Sequence, residues 1–114
     1  MKNSRLYFEH MLSAIQDIES FTGGIAFADF EKDRKTQNAV VRALEIIGEA
    51  SNRVPKEIQN KFPEMPWKEM LGTRNIIAHD YLYVDLKVVW GVVHNDLPKL
   101  KKQLQSALEG PNLS

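Results

Sequence analysis

One short segment of the chain combines side chains suited to acid–base and phosphate chemistry. Arg74, His79 and Tyr81 lie within eight consecutive positions, with Asn75 beside the arginine. Histidine is the side chain that exchanges protons most readily near physiological pH, and the arginine guanidinium donates paired hydrogen bonds to phosphate oxygens. On an uninterrupted helix Arg74 and His79 would lie about 140° apart. They can therefore act on one atom only if the helix ends before His79.

Apolar residues at three- and four-residue spacing predict the first helices, which form the frame for this segment. The first runs from Arg5 to Phe21 and stops at the glycine pair 23–24. A short apolar hinge over residues 25–30 follows. A longer helix then begins near Asp29 or Asp33 and continues until Pro55, which cannot extend it.

The pattern in the second half of the chain predicts further helices. Pro55 to Lys61 reads as a short helix, and another begins at Pro66 or Trp67 and loses its regular spacing at residues 78–83. Asp85 is expected to cap a last helix over residues 86–108, which Pro98 should bend or break near residue 95. With no alternating apolar run long enough for a strand, the predicted fold is all-α, an up-and-down bundle of four to five helices.

Length and composition narrow the classes of protein. The 114 residues fit a single domain, expected over residues 1–109, with residues 110–114 as a frayed tail. Fifteen basic residues balance fifteen acidic ones, so any nucleic-acid contact must come from local clusters. The chain has no cysteine, which excludes disulfides and thiolate metal sites. The sequence shows neither a secretory signal nor a spanning segment, and we expect a soluble cytoplasmic protein.

The spacing of the candidate residues also resembles a known family. Arg74, four residues, His79, one residue and Tyr81 form the R-x4-H-x-Y pattern of the HepT-like branch of HEPN proteins. The resemblance extends from about Tyr7 to Leu104. It also rests on residues 37–40, 42–50 and 96–98, on Trp67, and on Val89 with Trp90.

The resemblance implies a helical bundle that forms a homodimer, with two copies of the motif facing each other across a cleft. The implied activity is metal-independent cleavage of RNA, with no cofactor. His79 would act as general acid and base, and Arg74 would stabilise negative charge on the phosphate in the transition state. Asn75 would support it by holding the scissile phosphate or by orienting Arg74.

The resemblance also implies a regulator for Tyr81. In similar toxin–antitoxin pairs, an MntA-like minimal nucleotidyltransferase antitoxin attaches AMP to the motif tyrosine. A phosphate group at that point would repel RNA and obstruct its binding. Tyr83 is a weaker candidate for the same modification. Two alternatives remain open: a nucleotide-binding, complex-forming partner of a nucleotidyltransferase that does not cut RNA, and a dimeric bundle that only scaffolds.

Other polar and aromatic residues receive structural interpretations. His10 and His94 lie within predicted helices, and the spacing of the histidines matches no metal-binding motif, so we predict no bound metal. Trp67 and Trp90 have apolar, helix-phased neighbours typical of core or dimer anchors. The carboxylates Glu45 and Glu49 are expected to pair with Arg42 and Arg53. The basic clusters 32–35 and 99–102 are interpreted as solvated helix faces in preference to surfaces that guide RNA.

Overall fold

The computed structural model describes residues 4–72 and 85–113, and these residues form helices joined by short turns. They contain no strand, and the prediction of an all-α bundle is confirmed. None of the described helices is long and apolar enough to cross a bilayer. In chain order the α-helices are α1 Ser4–Thr22, α2 Phe27–Lys32, α3 Arg34–Arg53, α4 Lys56–Gln59, α5 over residues 67–72, α6 Leu86–Gly91 and α7 Leu97–Glu109.

Helix α1 lies at the centre of the bundle, where it packs against α3 and α7. Its apolar stripe includes Phe8, Met11, Ile15 and Ile18, each with 0% exposure, which places it among the deepest parts of the core. The helix ends where Gly24 adopts a φ of +79°. Because a side chain disfavours that conformation, glycine ends the helix where the sequence predicted.

The expectation of an irregular hinge at residues 25–30 was wrong in part, because residues 27–32 form helix α2. The N–H of Ala26 donates to Asp29 Oδ2 at 3.0 Å, and this bond closes the first turn. Phe30 is completely buried on the inner side of α2. A helix of six residues is too short to show helical periodicity in sequence, so the pattern could not distinguish it from a hinge.

Asp33 separates α2 from α3 and caps the longer helix. Its Oδ1 accepts a hydrogen bond from the N–H of Thr36 at 3.1 Å, and its Oδ2 accepts one from the Thr36 hydroxyl at 2.6 Å. Of the two starting points that the sequence offered, Asp33 is the one observed. From this cap α3 continues to Arg53, one residue before its C-cap Val54.

Helices α6 and α7 are joined by the π-helical turn Val92–Asp96. The N–H of Leu97 bonds to the carbonyl of Val92, five residues earlier. Pro98 has no N–H with which to continue the α-helical pattern. The interruption expected near residue 95 therefore takes the form of a wider helical turn, and the chain remains helical through it.

Described residues near the end of the chain contact the bundle. The sequence predicts that residues 110–114 fray, whereas Leu113, the last described residue, is 6% exposed and belongs to the core. Nearby, the guanidinium of Arg5 donates to the carbonyl oxygen of Leu108 at 2.9 Å. This bond attaches the end of α7 to the start of α1.

Candidate functional site

The candidate site residues Arg74, Asn75, His79 and Tyr81 lie outside the described residues, as does Tyr83. Their roles therefore stay predictions. The structure describes the elements on either side of this segment. These elements position the chain up to residue 72 and again from residue 85.

Helix α5 leads into the segment and is fastened by an aromatic cluster. The indole N–H of Trp67 donates to the carbonyl oxygen of Phe62 at 2.9 Å. Phe8 of α1 contacts both rings, with centroid distances of 5.3 Å to Phe62 and 6.0 Å to Trp67. Met70 is 6% exposed. The chain is thus attached to the central helix shortly before Arg74.

Helix α6 receives the chain after the segment, and Asp85 caps it as predicted. The Asp85 carboxylate accepts hydrogen bonds from the N–H groups of Lys87 at 2.9 Å and Val88 at 3.4 Å. Trp90 then packs on α2, with ring-centroid distances of 5.8 Å to Phe27 and 5.1 Å to Phe30. The predicted core role of Trp90 agrees with these contacts.

A cavity of about 580 Å³ opens beside the end of α5. Gly72, two positions before Arg74, lines it. Most of its wall is apolar, and Glu64, Glu69, Asp96 and Lys99 supply charged groups. The apolar lining consists of Leu44 and Ile47 from α3, Pro66, Met70, Val92, and Leu97 and Leu100 from α7. Sequence reasoning missed this cavity because its lining residues are scattered over several elements.

The two histidines within the described residues have ordinary surroundings. The ring of His94 lies 4.1 Å from the ring of Trp90, and its Nδ1 is 2.9 Å from the carbonyl oxygen of Trp90. His10 is exposed on α1. Within residues 4–72 and 85–113, no group of histidine and carboxylate side chains is arranged to hold a metal ion.

Several charged residues have structural partners. Arg42 Nη1 lies 3.7 Å from Glu49 Oε1, which confirms the expected pairing of these residues on α3. In the basic cluster 32–35, the hydrogen bonds from Thr36 hold the pKa of Asp33 below its usual value of 3.8. The cluster 32–35 therefore contains the residue that caps α3.

Comparison with known proteins identifies a matching family and several similar proteins. A family model described as HepT-like, "Ribonuclease HepT-like", matches residues 11–107. A protein of Thermococcus cleftensis named as a probable ribonuclease HepT is 48% identical over 99 residues, which cover 87% of this chain and 90% of that protein. A candidate RNase of Caldanaerobacter subterraneus is 39% identical over 109 residues, covering 96% of this chain and 97% of that protein. A candidate RNase of Methanocaldococcus jannaschii is 38% identical and covers 91% of this chain and 95% of its own. No solved structure matches significantly.

Proposed function

The chain belongs to the HepT-like ribonuclease family, and from this premise we propose that it is the toxin of a toxin–antitoxin pair that cleaves RNA without a metal ion. One observation carries the proposal. The family match over residues 11–107 includes the R-x4-H-x-Y pattern of Arg74, His79 and Tyr81. The described structure supports it by attaching both flanks of this segment to one core, through Trp67 and through Trp90.

The proposed reaction uses the 2′-hydroxyl of RNA as the nucleophile. His79 accepts the proton of this hydroxyl while the 2′-oxygen bonds to the adjacent phosphorus. The bond from phosphorus to the 5′-oxygen breaks, and His79 returns the proton to that oxygen. The products are a 2′,3′-cyclic phosphate and a 5′-hydroxyl. Arg74 stabilises the charge on the non-bridging oxygens with paired hydrogen bonds, and Asn75 supports the same phosphate or the guanidinium.

We propose that two copies of the chain associate so that their motifs face one cleft. Val88 of α6 supports this arrangement, because it is 60% exposed and lies seven positions after Tyr81, the last residue of the motif. An apolar side chain so placed gains free energy when a second copy covers it.

We also propose that Tyr81 is the control point. A cognate minimal nucleotidyltransferase would direct the phenolic oxygen of Tyr81 onto the α-phosphate of ATP, with pyrophosphate as the leaving group. The attached AMP would bring negative charge and bulk to the place where RNA must bind. Because the protein must meet both its RNA substrate and its nucleotidyltransferase partner, we propose that it acts in the cytoplasm.

The first experiment tests the nuclease itself. Purified chain, free of its partner and in the presence of EDTA, is incubated with total RNA and with tRNA beside an R74A/H79A double variant. We expect the wild type to cleave and the variant to leave RNA intact. If neither cleaves and mass spectrometry finds no AMP on Tyr81, the nuclease proposal is wrong, and a non-catalytic nucleotide-binding role replaces it.

The second experiment tests the control point. The chain is incubated with its nucleotidyltransferase partner and ATP, and cleavage is then measured. We expect wild type and Tyr83→Phe to gain AMP and lose cleavage, and Tyr81→Phe to stay unmodified and active. Modification of the Tyr81→Phe variant would refute the assignment of this residue.

A further inference from the structure

The basic cluster at residues 99–102 is divided by the structure between two surfaces. Lys101 Nζ lies 2.9 Å and 3.2 Å from the carboxylate oxygens of Glu19 on α1, so this lysine ties α7 to its neighbour. Lys99 and Lys102 instead line two cavities along α7. The cluster is therefore only in part a solvated face, because two of its lysines line cavities.

The two cavities are adjacent. The first is the apolar cavity of about 580 Å³ beside Gly72, and the second, of about 490 Å³, lies nearer the end of α7. Glu64 and Gln103 line both cavities, and Gln103 Nε2 donates to the carbonyl oxygen of Glu64 at 3.1 Å where they meet. Together they form one surface, which we call the α7 groove.

The two ends of the α7 groove differ in chemistry. Lys61 and Lys102 line the second cavity from different elements, and both are exposed. Ser106 and Asn112 add hydrogen-bond donors there, and Glu64 is the carboxylate among its described lining residues. Such a set of donors suits a phosphate group. Among the described residues, the first cavity has three carboxylates, Glu64, Glu69 and Asp96, against Lys99, so it does not suit a phosphate, whereas its apolar walls suit the face of a nucleobase.

We propose that the α7 groove binds a single strand of RNA, with a base in the apolar cavity beside Gly72 and a backbone phosphate between Lys61 and Lys102. The inference rests on the proposed function, because it supplies the substrate of that site with a path along the protein. Single-strand binding typically combines such apolar contact to bases with a basic track for the backbone. Gly72, at one end of the groove, lies two positions before Arg74 in the sequence, and the lysines hold the strand at the other end.

The test measures binding separately from cleavage. A fluorescent 2′-O-methyl oligoribonucleotide has no free 2′-hydroxyl to attack the phosphate, so wild-type protein can bind it without cutting it. Binding is titrated at several salt concentrations for wild type and for K61Q/K102Q. Each phosphate contact with single-stranded nucleic acid contributes about 0.7 to the slope of log affinity against log salt. Because the double variant removes the one phosphate contact between Lys61 and Lys102, it should lower that slope by about 0.7.

A matched control removes the same number of positive charges from another surface. The variant K32Q/K35Q neutralises two exposed lysines near the Asp33 cap and should leave the salt slope unchanged. An oligonucleotide with abasic positions should bind wild type on the order of ten-fold more weakly. Circular dichroism verifies that both double variants fold.

Each of the following outcomes would overturn the inference. An unchanged slope for K61Q/K102Q, or equal losses in both double variants, removes the lysines from the RNA path. If inorganic phosphate or AMP binds through Lys61 and Lys102 while the RNA slope stays constant, the second cavity is a small-anion site. Equal binding of abasic and normal strands removes the base from the first cavity. Failure of the nuclease proposal is seen separately, as absence of cleavage of ordinary RNA by wild type.

Discussion

The indole nitrogen of Trp67 lies 2.9 Å from the carbonyl oxygen of Phe62, and this bond fastens α5 to the turn before it. Phe62 is itself 6% exposed, and its ring packs against Phe8 in the centre of the core. Helix α5, which leads to Arg74, thus begins with Trp67, whose side chain is held both by apolar packing and by a hydrogen bond.

Replacing Trp67 by phenylalanine should therefore destabilise the protein. The substitution removes the indole donor and leaves the Phe62 carbonyl without it, a loss of about 1–2 kcal/mol beyond the smaller ring. Urea denaturation gives the free energy of unfolding. Trp90→Phe is the matched control, because it shrinks a ring for which no indole hydrogen bond occurs among the described residues. Equal losses for the two variants would contradict the importance of the bond.

Arg74→Lys separates charge from geometry at the proposed active site. Lysine keeps the positive charge but cannot donate two parallel hydrogen bonds to one phosphate. We expect the rate of RNA cleavage at saturating substrate to fall roughly 100-fold. Arg42→Lys, on an exposed side chain of α3, should retain full activity. If Arg74→Lys cleaves at the wild-type rate, a paired contact from Arg74 is not part of the transition state.

The Asp33 cap makes stability depend on pH in the acid range. The hydrogen bonds from Thr36 lower the pKa of Asp33 from 3.8 in the folded protein, so the cap stabilises fully above that value. As pH falls through the lowered folded pKa, the contribution is lost. Asp33→Asn lacks this titration, so its urea midpoint should fall less than that of wild type as pH drops from 5 to 2. Asp17→Asn, exposed on α1, should instead follow wild type.

Two glycines should respond oppositely to alanine. The Cβ of an alanine at Gly91 would meet Asn95 Nδ2 at 3.9 Å, an ordinary contact, so Gly91→Ala should stabilise the helix by about 0.5–1 kcal/mol. Gly24 has a φ of +79°, and Gly24→Ala should cost about 1 kcal/mol. Thermal or urea unfolding of both variants measures the difference. Destabilisation by Gly91→Ala would mean that the glycine is needed for close packing.

Local signals in the sequence predicted much of the fold. Gly24 and Asp85 mark helix ends through their own backbone and side-chain chemistry, and both act where the sequence placed them. The sequence pattern did not predict helix α2, because the apolar contact of this short helix is between Phe30 and Trp90, which is far away in sequence. Pro98 predicted an interruption, but not that a π-helical turn would accommodate it.

The candidate site was predicted from residue types and spacing, which identify groups but not their arrangement. Whether Arg74 and His79 act on one phosphate depends on the backbone between them, and spacing alone leaves that angle undetermined. The α7 groove depends on tertiary packing even more strongly. Gly72, Lys61 and Lys102 are too far apart in sequence to suggest one surface, and only the packing of α7 brings their cavities together.

The π-helical turn between α6 and α7 has the effect of one extra residue inserted in an α-helix. One residue corresponds to a rotation of about 100° about the helix axis. Before the turn, Trp90 packs toward α2, and after it Leu100 and Leu104 belong to the core that α7 shares with α1. Gain or loss of a single codon in this stretch would thus rotate half of a helix at once. Length variation among relatives at this point would change which neighbours α7 contacts without changing any contact residue.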